Sequence, residues 1–207
     1  MAAPPVLLVH GLWMRSFSLR WLATRLRSQQ FLPQVFGYYS LMQDTDAVVA
    51  RLADALRAQP GMHVVAHSLG GLLALRAAQG LGAPQPGRIV CLGSPLAGSH
   101  AASSIVTRLP AGARLIGHNR ALLTSGIGSI PAGLQVGAVA GCVPRGLGGL
   151  LARFDCEHDG TVSVPETRVP GLADHVVVRA SHSGLMFSDA AVNQAVAFLR
   201  HGRFDHA

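Results

Sequence analysis

Ser68, Asp159 and His182 are the residues of this chain whose types and neighbours could do chemistry together. Ser68 lies in the stretch Met62–Leu72, Met-His-Val-Val-Ala-His-Ser-Leu-Gly-Gly-Leu. The short, β-branched run His63–Ala66 before it reads as a buried parallel strand, and Leu72–Ala78 after it reads as a helix with Arg76 facing outward. Small residues at Ala66, Gly70 and Gly71 let the joint be sharp, because bulky β-carbons there would collide across the turn. Such a turn pushes the serine hydroxyl out of the sheet edge.

A serine hydroxyl is a poor nucleophile unless a base takes its proton, and that base needs an acid to fix its tautomer. After Ser68 the informative candidates are Asp159, within Glu157-His158-Asp159-Gly160-Thr161-Val162, and His182, within Ala180-Ser181-His182-Ser183-Gly184-Leu185. Asp-Gly is also a common turn pair, so Asp159 has a purely structural reading, and Asp155 or Glu157 are alternative acids. His67 reads as a neighbour of the turn, and His201 and His206 as members of a frayed polar tail. The grouping of Asp155, His158 and Asp159 lacks regular metal-ligand spacing, so no metal is implied.

The elements that must position these residues alternate between strand and helix. Val6–Val9 is an apolar run closed by His10-Gly11. Ser18–Gln30 carries Leu19, Leu22 and Leu26 at helical spacing, with Ser18 as N-cap. Gln34–Tyr39 reads as a second strand. Asp44–Gln59 is the clearest helix, with Val48, Leu52, Ala55 and Leu56 as its apolar stripe, ended by Pro60-Gly61. The strand before Ser68 and its helix follow, then a strand at Arg88–Leu92, a helix at Ala101–Leu109, a fifth strand at Leu134–Ala140, a sixth at His175–Arg179 and a closing helix at Asp189–Leu199. Alternation of this kind implies right-handed crossovers and a mostly parallel sheet covered on both faces. Ligand sites in such sheets lie beyond the carboxyl ends of the strands. His10-Gly11, Ser68 and the Gly93-Ser94-Pro95 loop all occupy that edge. Residues 98–153 carry the weakest pattern, and either rim the pocket as a small lid or form compact loops.

Composition bounds the function. At 207 residues the chain suits one domain, and 49% hydrophobic against 13% charged residues fits a globular core. The net charge of +7 comes from 17 Lys+Arg, every one an arginine, against 10 Asp+Glu. The arginines are scattered without an aromatic-interleaved stripe, which argues against nucleic acid and leaves at most peripheral attraction to anionic membrane surfaces or substrates. Three cysteines, Cys91, Cys142 and Cys156, show no paired spacing. Cys91 reads as a core residue, and a Cys142–Cys156 bridge is the remaining pairing. No secretory leader or membrane span is legible, which implies a soluble, cytoplasmic protein.

Taken together, these residues resemble the α/β-hydrolases of the small bacterial lipase and esterase type. The likeness is carried by His10-Gly11-Leu12, Ala66-His67-Ser68-Leu69-Gly70, Asp159-Gly160, His182-Ser183-Gly184-Leu185, and the loop Gly93-Ser94-Pro95-Leu96-Ala97-Gly98-Ser99. The order serine, acid, histidine agrees with that family. Alanine at the first elbow position resembles the small lidless members, as does the lack of the first two strands of the full family sheet. The resemblance implies an α/β-hydrolase fold over residues 1–207, a minimal doubly wound sheet of about six strands. It implies Ser68 as nucleophile, His182 as base and then acid, Asp159 as the orienting carboxylate, and the backbone N–H groups of Leu12 and Leu69 as oxyanion hole. Leu12, Trp13, Met14 and Phe17, with Leu185, Met186 and Phe187, are expected to form the acyl-accepting surface or else pack in the core. The implied activity is cleavage of a small-molecule acyl ester or lipid through an acyl-enzyme, without cofactor. Acyl transfer, thioester or amide cleavage by the same residues, and a non-catalytic binding role, are the alternatives.

Overall fold

The computed structural model describes residues 3–82, 85–108, 112–145 and 157–206. Its centre is a six-stranded sheet made of β1 (Pro5–Val9), β2 (Leu32–Val35), β3 (His63–His67), β4 (Ile89–Leu92), β5 (Val136–Gly141) and β6 (Asp174–Val178), in the order β2-β1-β3-β4-β5-β6. All five pairings are parallel, so every strand ends at the same edge. The order reverses between β1 and β3, where the loops that follow them diverge and open a crevice.

Period-two alternation explains why the sheet is covered twice. Leu7, Val9, Val64, Ala66, Ile89, Cys91, Val136 and Ala138 face one apolar layer, shared with α2 (Thr45–Ala58) and α3 (Leu69–Gln79). Val6, Leu8, Val65, Val90, Leu92 and Val139 face the other, against α1 (Arg20–Ser28) and α7 (Asp189–His201). Each leucine or valine so enclosed contributes about 1.5–3 kcal/mol. Between β4 and β5 lie α4 (His100–Arg108), α5 (Gly112–Ile116) and α6 (Arg120–Ser125), which pack on one another above the end of the sheet.

The expected α2 is present, its first turn held by the Asp44 carboxylate, which accepts from the N–H groups of Asp46 and Ala47 at 3.0 and 3.1 Å. Ser18 does not cap α1. The chain winds through a tight 3-10 turn at Ser16–Leu19, and the Ser18 hydroxyl donates instead to the Arg15 carbonyl at 2.7 Å. The second strand lies earlier than the expected Gln34–Tyr39, because Phe36 and Tyr38 turn into the core as the chain leaves the sheet. Being an edge strand, it tolerates Pro33, which has no N–H to offer. The carboxyl-terminal residues are not frayed. Phe204 packs against Phe198 with ring centroids 4.9 Å apart and planes tilted by 35°, and Asp174 accepts from the Phe204 N–H at 2.7 Å and from His206 Nε2 at 2.9 Å.

Cys91 is a core residue as expected, its thiol pushed up to about 12 by burial. The Cys142–Cys156 bridge is not formed: Cys142 is a free thiol that donates to the Val178 carbonyl at 3.4 Å. Asp155, one alternative acid, lies outside the described residues. Among the described residues no helix is long and apolar enough to cross a membrane.

Candidate active site

Ser68 joins β3 directly to α3, and the joint is as sharp as its small residues imply. Its backbone has φ 55° and ψ −126°, a conformation that costs a non-glycine residue of order 1–3 kcal/mol and persists only where the surroundings enforce it. The enforcement is visible: the Ser68 N–H is tied to the Leu92 carbonyl at 2.9 Å, and Leu69 is fully buried. Gly70 passes so close to β1 that a β-carbon there would stand 2.5 Å from the His10 carbonyl oxygen.

The loop after β6 carries His182, whose Nε2 lies 3.0 Å from Ser68 Oγ. Its Nδ1 lies 2.7 Å from Asp159 Oδ2. Asp159 is 1% exposed, and its other oxygen accepts from the N–H groups of Thr161 and Val162 at 2.9 and 2.7 Å. The Asp-Gly turn and the carboxylate facing His182 are therefore one device: the turn N–H groups hold Oδ1 so that Oδ2 is presented to the ring. The main chains are tied as well, the His182 N–H donating to the Asp159 carbonyl at 2.8 Å. Gly93, at φ 57°, leaves room for this pair; a β-carbon would meet Asp159 Oδ2 at 3.2 Å and His182 Nδ1 at 3.3 Å. Glu157, the alternative acid, is exposed and does not face His182.

His67 sits behind this line of residues. Burial, and next the neighbouring His182, push its imidazole down to about 3, so the ring is neutral at physiological pH. Its Nε2 lies 2.9 Å from the His182 carbonyl, so the neutral ring carries its proton there and donates it.

The loop after β1 runs alongside Ser68. Tyr38 stacks on His10 with ring centroids 4.2 Å apart and 11° between planes, and its hydroxyl donates to the His10 carbonyl at 2.7 Å. Burial lowers the His10 imidazole below its ordinary value. Trp13 has φ 60°; its N–H donates to Ser40 Oγ at 3.1 Å and its indole N–H to the Leu115 carbonyl at 2.7 Å. Neither the Leu12 nor the Leu69 N–H has a backbone acceptor among the described residues. Leu12 stands on the cavity wall with Ser68, and Leu69 opens α3 directly after it.

Ser68 and His182 open into a cavity of about 420 Å³. Leu12, Trp13 and Met14 line it as the sequence leads one to expect. Leu185 and Met186 do not: at 0% and 2% exposure they turn into the core between β6 and α7, because the short helical turn Ser183–Phe187 points that face inward. Phe17 also lies off the cavity wall, 67% exposed on its 3-10 turn.

A sequence model described as the alpha/beta hydrolase family matches residues 6–157. The chain belongs to that family. A comparison with curated proteins finds no match. Among solved structures, this hydrolase is similar to the mature lipase BlEst2 of Bacillus licheniformis, with 20% identity, a TM-score of 0.74, and 97% of this chain and 92% of the other covered. It is also similar to a carboxylesterase of the thaumarchaeon Nitrososphaera gargenis, at 13% identity and TM-score 0.59, covering 97% and 91%. The prodiginine-pathway thioesterase RedJ of Streptomyces coelicolor gives 16% identity and TM-score 0.58, covering 97% and 91%. At these identities the likeness is one of fold, and residue roles in this hydrolase rest on its own geometry.

For the far wall, sequence reasoning offered residues 98–153 as either a pocket rim or compact loops and named no residue of it. Ala101, Ala102 and Ile105, on one face of α4, line the cavity with Ile116 and Leu123. The spacing of the first three was available as a helical signal, but nothing in the sequence says that this helix lies over Ser68. Tyr38 was missed for the same reason, its stacking on His10 being a contact across 28 positions.

Proposed function

We propose that this hydrolase cleaves carboxylic esters through an acyl-enzyme on Ser68. The observation that carries the reading is the unbroken hydrogen-bonded line from Ser68 Oγ through His182 to buried Asp159 at the floor of an apolar cavity.

In the proposed reaction Ser68 Oγ attacks the acyl carbonyl as its proton passes to His182 Nε2. Asp159 accepts the Nδ1 hydrogen, which fixes the tautomer with a free lone pair on Nε2 and stabilises the imidazolium that follows. The carbonyl oxygen, now negative, is met by the N–H groups of Leu12 and Leu69 and the amino end of α3. One such donor is worth roughly 10² to 10³ in rate. His182 then gives its proton to the departing alcohol, which breaks the ester bond and leaves the acyl group on Ser68. Water enters on the vacated side, gives a proton to His182 as its oxygen bonds to the acyl carbon, and the acyl–Oγ bond then breaks as His182 returns that proton to Ser68 Oγ, which releases the acid.

Leu12, Met14, Ala102, Ile105, Ile116 and Leu123 provide the apolar surface suited to the acyl group of a small-molecule ester. The test is turnover of short- and medium-chain p-nitrophenyl esters by wild type and Ser68→Ala, with a fluorophosphonate probe read by mass spectrometry. Ser68-dependent turnover and an adduct on Ser68 are expected. Equal rates for the two proteins, with no adduct, would sink the reading, and product analysis with competing alcohols separates hydrolysis from transfer.

A further inference from the structure

The cavity is chemically two-sided. Its apolar wall comes from α4, α5 and α6, whereas Thr161, Ser183 and Arg145 stand on the side of the acid and histidine loops. Arg145 is the one side chain on the described wall with a fixed charge at neutral pH. Its guanidinium has no ion-pair or hydrogen-bond partner among the described residues, which leaves its donors open to a ligand in the cavity.

Its place is set by the main chain. The Arg145 N–H donates to the Val143 carbonyl at 2.8 Å, and the Val143 N–H to the Ala180 carbonyl at 3.1 Å, which ties the segment to the approach to His182. On its other side Gly160, next to Asp159, is in backbone contact with it; a β-carbon at Gly160 would stand 2.9 Å from the Arg145 nitrogen. The guanidinium therefore belongs to the half of the cavity from which His182 hands a proton to the leaving oxygen. In an ester, that half holds the alcohol portion.

We propose that Arg145 selects esters whose alcohol portion carries an anionic group, a carboxylate or a phosphate. The proposal rests on the ester-hydrolase reading above and names the substrate class of that site. A guanidinium presents a planar fork of donors that matches either anion in a two-point contact, and keeps its charge at any working pH. No carboxylate on the described wall competes for it, since Asp159 is engaged by His182 and by its own turn. The net charge of +7 adds a long-range attraction for such substrates. Because the side chain is exposed, the contact is screened by water and the expected preference is about tenfold.

The experiment compares 4-butyryloxybenzoate with its methyl ester, and 4-butyryloxyphenyl phosphate with its neutral dimethyl ester, in wild type, Arg145→Gln and Arg145→Lys. The quantity read is the anionic-to-neutral ratio of kcat/KM, which cancels intrinsic leaving-group reactivity when proteins are compared. In wild type the ratio is expected to exceed that of Arg145→Gln about tenfold, through KM, with Arg145→Lys between them and the difference shrinking in high salt. The carboxylate and phosphate arms show which anion is preferred. Ratios equal within twofold in all three proteins, on both arms, overturn the role of Arg145 while leaving the hydrolase reading intact. Absence of Ser68-dependent turnover of every ester, neutral ones included, overturns the underlying reading and the proposal with it.

Discussion

The hydroxyl of Tyr38 donates a 2.7 Å hydrogen bond to the main-chain carbonyl of His10 while its ring stacks on the His10 imidazole. One side chain thus holds both the backbone and the side chain of the residue two positions before Leu12, whose N–H is proposed to receive the oxyanion. Tyr38→Phe keeps the stacking and removes only the hydrogen bond. It is expected to lower kcat about tenfold with little change in KM, since a small displacement of a pre-placed donor weakens the transition state more than the ground state. Steady-state kinetics and affinity for a boronic-acid analogue check this, and unaltered kcat and analogue affinity would show that the loop holds its place without Tyr38.

Asp159→Asn has a defined chemical consequence. The Thr161 and Val162 N–H groups claim the amide oxygen, which leaves the NH₂ facing His182 Nδ1. The ring then carries its proton on Nε2, pointing at Ser68, and cannot act as base. On the proposed mechanism kcat falls by roughly 10³ to 10⁴ while the fold is kept. Circular dichroism and a fluorophosphonate labelling rate measure the two effects separately.

Gly70→Ala tests the close approach of α3 to β1. The added methyl would stand 2.5 Å from the His10 carbonyl oxygen and 2.6 Å from that of Val9, main-chain atoms with no rotamer to retreat to. A loss of stability of about 1–3 kcal/mol or more is expected, together with loss of activity as Ser68 shifts from the loop after β1. Urea unfolding of Gly70→Ala against wild type decides it; an unchanged midpoint would mean that the crossing is looser than the geometry implies.

One buried and one half-buried histidine make stability depend on pH. Burial, then nearby charge, pushes His67 down to about 3 and His175 down to about 4, from an ordinary value of 6.5. Below pH 6.5 the unfolded chain takes up protons that the native rings refuse, so stability is lost as pH falls from 6.5 toward 4, and for His67 on toward 3. His67 alone contributes a slope approaching about 1.4 kcal/mol per pH unit in that window. His67→Asn and His175→Gln should each flatten the dependence of unfolding free energy on pH between 6.5 and 4. An undiminished slope in the double variant would assign acid sensitivity to other groups.

Much of the framework was legible before any coordinates. The apolar runs at Val6–Val9, His63–Ala66 and Arg88–Leu92 have short-range signatures, because a doubly covered parallel strand is apolar at nearly every position. Small residues around Ser68 announced a sharp turn for steric reasons confined to a few positions. Ser18 failed as a cap because its hydroxyl found a nearer acceptor in Arg15, and β2 ended early because Phe36 and Tyr38 had better burial off the sheet. In each case a contact outside the local pattern won.

The amino-acid sequence by itself determined the chemical inventory and its side of the sheet: a serine at a strand-to-helix joint, a histidine after the last strand, and an Asp-Gly turn between them, all beyond the carboxyl ends of parallel strands. Only the tertiary structure decided which carboxylate meets His182, because that contact joins residues 23 positions apart and depends on two turn N–H groups orienting Asp159. It also decided that Leu185 and Met186 belong to the core, that α4, α5 and α6 supply the apolar wall, and that Arg145 stands opposite them. Alternation and helical spacing specify which face of an element is apolar. What that face is packed against is set by the closure of the whole sheet, where distant segments compete for the same buried space.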